Sequence, residues 1–402
     1  MSMPLEGIKV LEMSAYVVGP ATSVILGDLG AEVVKVEPPD GGDPFREILK
    51  TGIAPPADFN YLYEFFNRNK KSITVDAKTD RGKEIIYKLV EGSDIFISNY
   101  RPSAIEKLAI DYETLSRINP KLIYAHITGY GPKGPGRDWP AFDETAFWAR
   151  SGIMGILGEP DIPCCPPRGA IGDLTTALGV FGSIMLALYH RERTGVGQKV
   201  DSFLLSSGAW VVGWDLQTSL YTGHDVLRQS RKNRANPLHN TYLTKDGRWM
   251  QFSMAQTERY WPILCRALDR EDLLGDSRFS SHEKRCQNSE LLISIIDGIM
   301  ATKNLDEVKG RFYEEGLVWA PAQTLTEVIN DPQLVANEVF IEYDHPSVGR
   351  FRGIDSPIKL SRCTNKAKAP APELGQHTEE VLLELGYAPN QIEELKRQKV
   401  II

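Results

Sequence analysis

Residues 1–130 alternate short β-branched runs with amphipathic stretches, and few architectures accept that order. Ile8–Glu12 and Ala31–Glu37 read as strands on either side of a helix over Ala21–Leu29. Ile85, Ile86, Leu89 and Val90 mark the apolar face of a helix over Lys83–Val90, and Asp94–Ser98 and Leu122–Thr128 follow as buried strands. This alternation predicts an α/β fold with a parallel, doubly wound sheet covered on both faces. Such sheets bind ligands beyond the C-terminal ends of their strands, so chemistry is expected in the loops that follow them.

Further along, an apolar helix is expected from Asp173 through Leu174, Leu178, Phe181, Ile184 and Leu188 to a basic end at His190, Arg191 and Arg193. Gly195 and Gly197 supply its stop. Tyr242–Lys245 and Arg248–Phe252 flank Asp246–Gly247, which predicts a hairpin with a type I′ turn. Helices are expected around Tyr260–Leu268, Leu291–Met300, Glu379–Leu385 and Gln391–Gln398. The plan is a doubly wound, Rossmann-like large domain begun by residues 1–200, a helical linker over 201–225, a smaller α/β domain over 226–325, and a return segment over 326–402 that completes the large domain.

Charge narrows the partners. Among 402 residues, 46 Lys and Arg stand against 53 Asp and Glu, a formal balance of −7 that argues against a dedicated nucleic-acid binder. No apolar run is expected to approach the roughly 18–20 residues that span a bilayer, and the N-terminus does not read as a signal peptide. Five cysteines (Cys164, Cys165, Cys265, Cys286 and Cys363) show no CxxC spacing and point to a reducing cytoplasm. The seven histidines are dispersed without paired metal spacing, so no metal is expected.

Candidate chemistry is thinner. The first strand–helix–strand unit invites a dinucleotide reading with Glu37 as the ribose acid, but the loop Ser14–Pro20 has no GxGxxG. The Cβ atoms of its valines would hold a pyrophosphate off. Asp173 stands at an expected strand-to-helix junction, where an aspartate is either a helix cap or a carboxylate facing a cleft thinned by Gly169 and Gly172. Asp143 and Glu144 are adjacent acids, of which one is expected to face a site and both suit a helix N-terminus. Asn67–Lys71 with Lys78 forms a local basic cluster, read as a solvated face or a site for a phosphorylated ligand. Arg101 and Lys107 follow a strand end near the expected sheet rim.

Leu5–Glu12, Gly19–Pro20, Leu29–Glu37, Asn69–Ile73, Arg193–Gln198, Gly247–Trp249 and Gly375–Leu382 follow one another along nearly the whole chain. Together these segments resemble the family III CoA-transferases, which include the formyl-CoA:oxalate, carnitine-type and aryl- or 2-hydroxyacyl-CoA transferases and the 2-methylacyl-CoA racemases. The resemblance implies that Asp173 is a nucleophile working through an aspartyl anhydride and an aspartyl–CoA thioester. It implies that Glu144, or Asp143 if the match slips by one, shapes the site. CoA is then expected against Tyr16, Val17 and Val18, with Val75 and Lys78 near the adenine and Arg101 and Lys107 near the phosphates. No permanently bound cofactor is implied, coenzyme A entering as substrate, and the subunits are expected to form an interlocked homodimer.

Three departures refine this. Pro38 stands where some members carry an arginine. Phe142 and Asp143 occupy the place of the His–acid pair of the racemases, which removes one of the two bases that racemisation requires. Residues 226–240 lack the glycine-rich loop of the oxalate enzymes. The expected activity is transfer of CoA to an aryl- or branched 2-hydroxy acid, the alternatives being a 2-methylacyl-CoA racemase or a non-catalytic acyl-CoA-binding subunit.

Overall fold

A computed structural model, describing residues 3–164, 168–363 and 369–402, resolves the early alternation into a six-stranded parallel sheet. Cys165 lies outside the described residues. The order of elements is β1 (Lys9–Met13), α1 (Val18–Asp28), β2 (Glu32–Glu37), α2 (Tyr61–Asn67), β3 (Lys70–Thr74), α3 (Asp80–Glu91), β4 (Ile95–Ser98), α4 (Pro102–Leu108), α5 (Tyr112–Ile118) and β5 (Ile123–Thr128). There follow α6 (Ile153–Ile156), α7 (Ile171–Thr194), β6 (Gln198–Phe203), α8 (Leu204–Val211) and α9 (Gly213–Thr222). The strands lie in the order β3-β2-β1-β4-β5-β6, so the direction of winding reverses between β1 and β4. Leu11 pairs with Val34 on one side and Phe96 on the other, fixing the register at that switch.

One face of the sheet is covered by α3, whose Ile85, Ile86 and Val90 are wholly buried with Phe96 and Tyr124. On the other face all eleven residues of α1 are buried, because α7 packs over it. Gly19 lets the start of α1 approach the loop after β1: a Cβ there would lie 2.4 Å from Cβ of Ser14. The α1 helix opens at Val18, three residues before the expected Ala21, and Pro20 lies in its first turn.

Several expectations need correction. β3 and β6 were not anticipated, since Lys70–Thr74 and Gln198–Phe203 carry polar residues where an apolar run was sought. The Asn67–Lys71 part of the basic cluster is not a solvated face, though Lys78 is exposed: Arg68 is buried against Asp28, 2.5 Å away, and Lys70 against Glu12, 2.9 Å away. Among the described residues one helix, α7, is long and apolar enough by length and composition to cross a membrane. Interspersed Thr, Ser and Gly hid it from a search for consecutive apolar residues. In the fold, α7 packs on α1, β5 and β6.

The chain divides into two compact units. The first holds Met1–Met154, Pro166–His224 and Val335–Ile402, and the second Gly155–Cys165 and Asp225–Leu334. Arg228 ties the first piece of the second unit to the rest of it, donating to the carbonyls of Gly155 and Ile162 at 3.1 and 3.0 Å. That unit is built on a three-stranded antiparallel sheet of Thr241–Leu243, Trp249–Phe252 and Trp319–Pro321, with Tyr242, Phe252, Phe279 and Phe312 in its core. The predicted hairpin forms, but Gly247 alone of the turn has positive φ (+75°) and its N–H donates to Thr244 O at 3.0 Å. A type I′ turn needs positive φ at both central residues, so this is a longer turn closed by a glycine.

In the first unit, the segment Gly375–Leu382 covers the outer edge of β3. Ser72 O accepts from His377 N–H at 2.9 Å, and Thr74 N–H donates to Thr378 Oγ1 at 3.1 Å. An edge strand whose backbone groups are paired in this way is closed to further strand addition.

Candidate active site

Because α7 connects two neighbouring parallel strands, β5 and β6, its first turn lies at the C-terminal edge of the sheet. Ala170, at φ +68°, is the residue before that turn, and Asp173 is the third residue within it. Asp173 is therefore not a helix cap, and a loop precedes it, not a strand. The carboxyl is half-buried and is pushed up to about 7, first by burial and then by the negative charges of Asp143 and Glu144. The N-terminal end of α7 acts in the opposite sense, favouring a carboxylate.

Of the two adjacent acids, Asp143 is buried and Glu144 is exposed. Asp143 Oδ2 accepts from Gly172 N–H at 3.2 Å, beside the Asp173 backbone, while its buried Oδ1 has no hydrogen-bond partner within bonding distance among the described residues. Burial raises the Asp143 carboxyl too, and the hydrogen bond from Gly172 opposes that. Gly172 is the hinge of this arrangement. A Cβ there would lie 2.1 Å from Asp143 Oδ1 and 2.2 Å from Cγ of Phe147.

Asp173 lines a cleft of about 490 Å³ at the ends of β1, β4 and β5, together with Tyr16, Val17, Val18, Arg101 and Phe142. The loop after β1 holds an unusual shape, with Tyr16 at φ +63°. Three hydrogen bonds to two side chains, buried Asp43 and half-buried Asn99, hold it. Tyr16 N–H donates to Asp43 Oδ1 at 3.0 Å, Ala15 N–H to Asn99 Oδ1 at 2.9 Å, and Asn99 Nδ2 returns a bond to Ala15 O at 2.7 Å. The Tyr16 ring meets Phe142 edge-on at 5.4 Å. Beneath the loop, Lys35 Nζ lies 2.8 Å from Glu12 Oε1 and 2.9 Å from Asp43 Oδ2, all fully buried. Burial alone would raise Glu12, but Lys35 and Lys70 outweigh it and hold the carboxyl at about 2.

A second cavity, of about 910 Å³, opens beyond β2 and β3. Val75 and Lys78 line it, and Tyr100 lines both this cavity and the cleft of Asp173. Lys107 is exposed on α4 and lines neither. Glu37, weighed as a ribose ligand, is buried and paired with Arg46 at 2.7 Å. The sequence reading missed Asn99, Tyr100 and Asp43. The first two directly follow a strand end at the switch point, a position that the topology rule singles out. Asp43 carries no local signal, since its role depends on a loop 27 residues away in the sequence.

The family model described as CoA-transferase family III matches residues 5–378. The (R)-2-hydroxy-4-methylpentanoate CoA-transferase of Clostridioides difficile is 34% identical, with 99% of this chain and 100% of that protein covered. The cinnamoyl-CoA:phenyllactate CoA-transferase of Clostridium sporogenes is also 34% identical, covering 99% and 97%, and the succinyl-CoA:glutarate CoA-transferase of Mus musculus is 32% identical, covering 99% and 90%. Among solved structures, a CAIB/BAIF family protein from Brucella suis superposes with a TM-score of 0.82 at 29% identity, over 96% of this chain and 100% of that one.

Proposed function

The chain belongs to CoA-transferase family III, and from that premise we propose that it moves CoA from an acyl-CoA to a free carboxylic acid with Asp173 as nucleophile. An Asp173 carboxylate oxygen attacks the thioester carbonyl, the C–S bond breaks, and a mixed anhydride and CoA thiolate result. The thiolate then attacks the aspartyl carbonyl, releasing the donor acid and leaving an aspartyl–CoA thioester. The acceptor carboxylate attacks that thioester to form a second anhydride, and thiolate attack on its acyl carbon yields the new acyl-CoA and restores Asp173. No proton is gained or lost over the cycle.

The observation that carries this reading is the position of Asp173, on the first turn of α7, lining a cleft at the sheet's C-terminal edge. Burial, with the charges of Asp143 and Glu144, raises the carboxyl to about 7 and makes its carboxylate form a stronger base and nucleophile. The amides of the same turn suit an oxyanion, and the cleft's apolar walls slow hydrolysis of the anhydride. Tyr16, Val17, Val18 and Arg101 would hold the pantetheine side of CoA, and Val75 and Lys78 the nucleotide side, with Lys107 left to contact only an extended phosphate arm. Phe142, Trp139 and Leu204 line the Asp173 cleft and favour an aryl- or branched 2-hydroxy acid, as do the substrates in the names of the two 34%-identical relatives. The reading includes a homodimer in the cytoplasm. Self-association is supported by α9, which buries none of its residues and exposes Trp214, Leu220 and Tyr221.

Intact-protein mass spectrometry after incubation with acetyl-, cinnamoyl- and branched 2-hydroxyacyl-CoA, with a hydroxylamine trap, tests the reaction. A hydroxylamine-sensitive adduct is expected on the wild type and not on Asp173→Ala. Tight CoA binding without any adduct would sink the mechanism in favour of a binding role.

A further inference from the structure

Resting on the CoA reading above, we infer that the last four residues of the sequence, Lys399–Ile402, form one wall of the nucleotide end of the CoA site, with Lys399 supplying a cation to a CoA phosphate. The larger cavity is lined on one side by residues after β2 and β3 and on the other by Lys396, Lys399, Ile401 and Ile402. Tyr100 joins it to the cleft of Asp173, so a single elongated ligand can reach both.

The wall is built, not frayed. Val400 and Ile401 are buried in the core of the large unit. Val400 O accepts from Asp76 N–H at 2.8 Å, and Ile402 N–H donates to Thr74 Oγ1 at 3.0 Å. Between the last helix and these anchors, Lys399 takes φ +58° in the turn that ends the helix, where Val400 N–H donates to Leu395 O at 3.0 Å. Lys399 lines the rim of the cavity there.

The charges on that rim sort themselves. Lys396 is bonded to Glu379, and Glu37 is neutralised by Arg46. Lys78 and Lys399 have no ion-pair partner among the described residues, and Asp40 and Asp76 are the remaining acids. Two unpaired ammonium groups suit phosphate oxygens, while the two carboxylates suit the hydroxyl and amino donors of a ribose and a base. CoA carries a 3′-phosphate and a diphosphate, and this rim offers Lys399 to one of them.

Calorimetric binding and steady-state transfer, with CoA thioesters and their 3′-dephospho analogues, test the assignment on the full chain. Lys399→Gln is expected to raise Kd and KM about 3- to 10-fold with kcat retained, the effect shrinking at high salt. Lys399→Gly, which relieves the backbone and removes the charge together, is expected to match it. Arg397→Gln, an exposed cation paired with Glu394 and absent from the cavity, is the control expected to leave KM alone. A Lys399→Gln loss that vanishes with the dephospho substrate assigns the 3′-phosphate, and one that persists assigns the diphosphate. Wild-type binding with Lys399→Gln indistinguishable from it overturns this inference alone. A wild type that binds no CoA overturns the functional reading as well.

Discussion

Gly172→Ala should disable the site. The added Cβ would sit 2.1 Å from Asp143 Oδ1 and 2.2 Å from Phe147 Cγ, where ordinary contact starts near 3.4 Å. Both neighbours must retreat by more than 1 Å, and neither is free to do so. Phe147 is 2% exposed, and Asp143 is buried and bonded to the Gly172 amide itself. Overpacking of this kind costs about 1–3 kcal/mol, and loss of the amide–carboxylate bond adds about 1 kcal/mol or more. The kinetic effect should be larger in proportion, because Asp173 is the next residue, and a displacement of about 1 Å costs a reacting group roughly 100-fold in rate. The assay is the rate of hydroxylamine-sensitive adduct formation beside the thermal midpoint. A variant several degrees less stable but still folded, with adduct formation slowed about 100-fold, is the expected result. Wild-type adduct rate and midpoint in Gly172→Ala would refute the packing argument outright.

Adduct formation should rise with pH through about 7, the value to which Asp173 is pushed, because only its carboxylate attacks. Asp143→Asn can still accept the Gly172 bond while removing a like charge, so it should move that midpoint to lower pH, as read from the same pH–rate profile. A carboxyl whose folded value is raised stabilises the fold below its unfolded value near 4 and loses that contribution as pH rises to about 7. Asp173→Asn is therefore expected to abolish transfer yet melt higher than the wild type at pH 8, as seen by scanning calorimetry. Asn99→Ala removes both bonds to Ala15 and should raise KM for acyl-CoA about 10-fold with a smaller effect on kcat. Trp214→Ser with Leu220→Ser should weaken self-association in sedimentation while leaving the circular dichroism spectrum unchanged.

The part of the fold that could be read from the sequence is the part governed by local pattern. β1, β2, β4 and β5 and the helices α1, α3 and α7 stand within a few residues of their expected places, because β-branched runs and a 3.6-residue period report directly on burial. β3 was hidden because Lys70 and Lys71 read as solvated, and Lys70 is buried only because Glu12, on a strand two places away, takes its charge. The same distance effect hid the site's support. Asp173 could be nominated from its apolar helix and flanking glycines, but which neighbouring acid touches its turn depends on the packing of the Asp143 loop against Gly172. No spacing rule carries that contact.

The buried charges under the first loop explain why this region resists a purely apolar account. Glu12 and Lys35 occupy inward positions on adjacent central strands, where a well-packed apolar pair is often as stable or more so. What an apolar pair cannot do is hold Asp43 by its Oδ2 while its Oδ1 accepts from the Tyr16 amide. Tyr16 at φ +63° is about 1 kcal/mol or more less comfortable than in an extended or helical shape, and it stays there because that amide has a fixed acceptor. The chain thus runs from a charged pair in the sheet, through one aspartate, to the backbone shape of the loop that faces the cleft of Asp173. Stability gains little from the arrangement, and the geometry of the cleft depends on it.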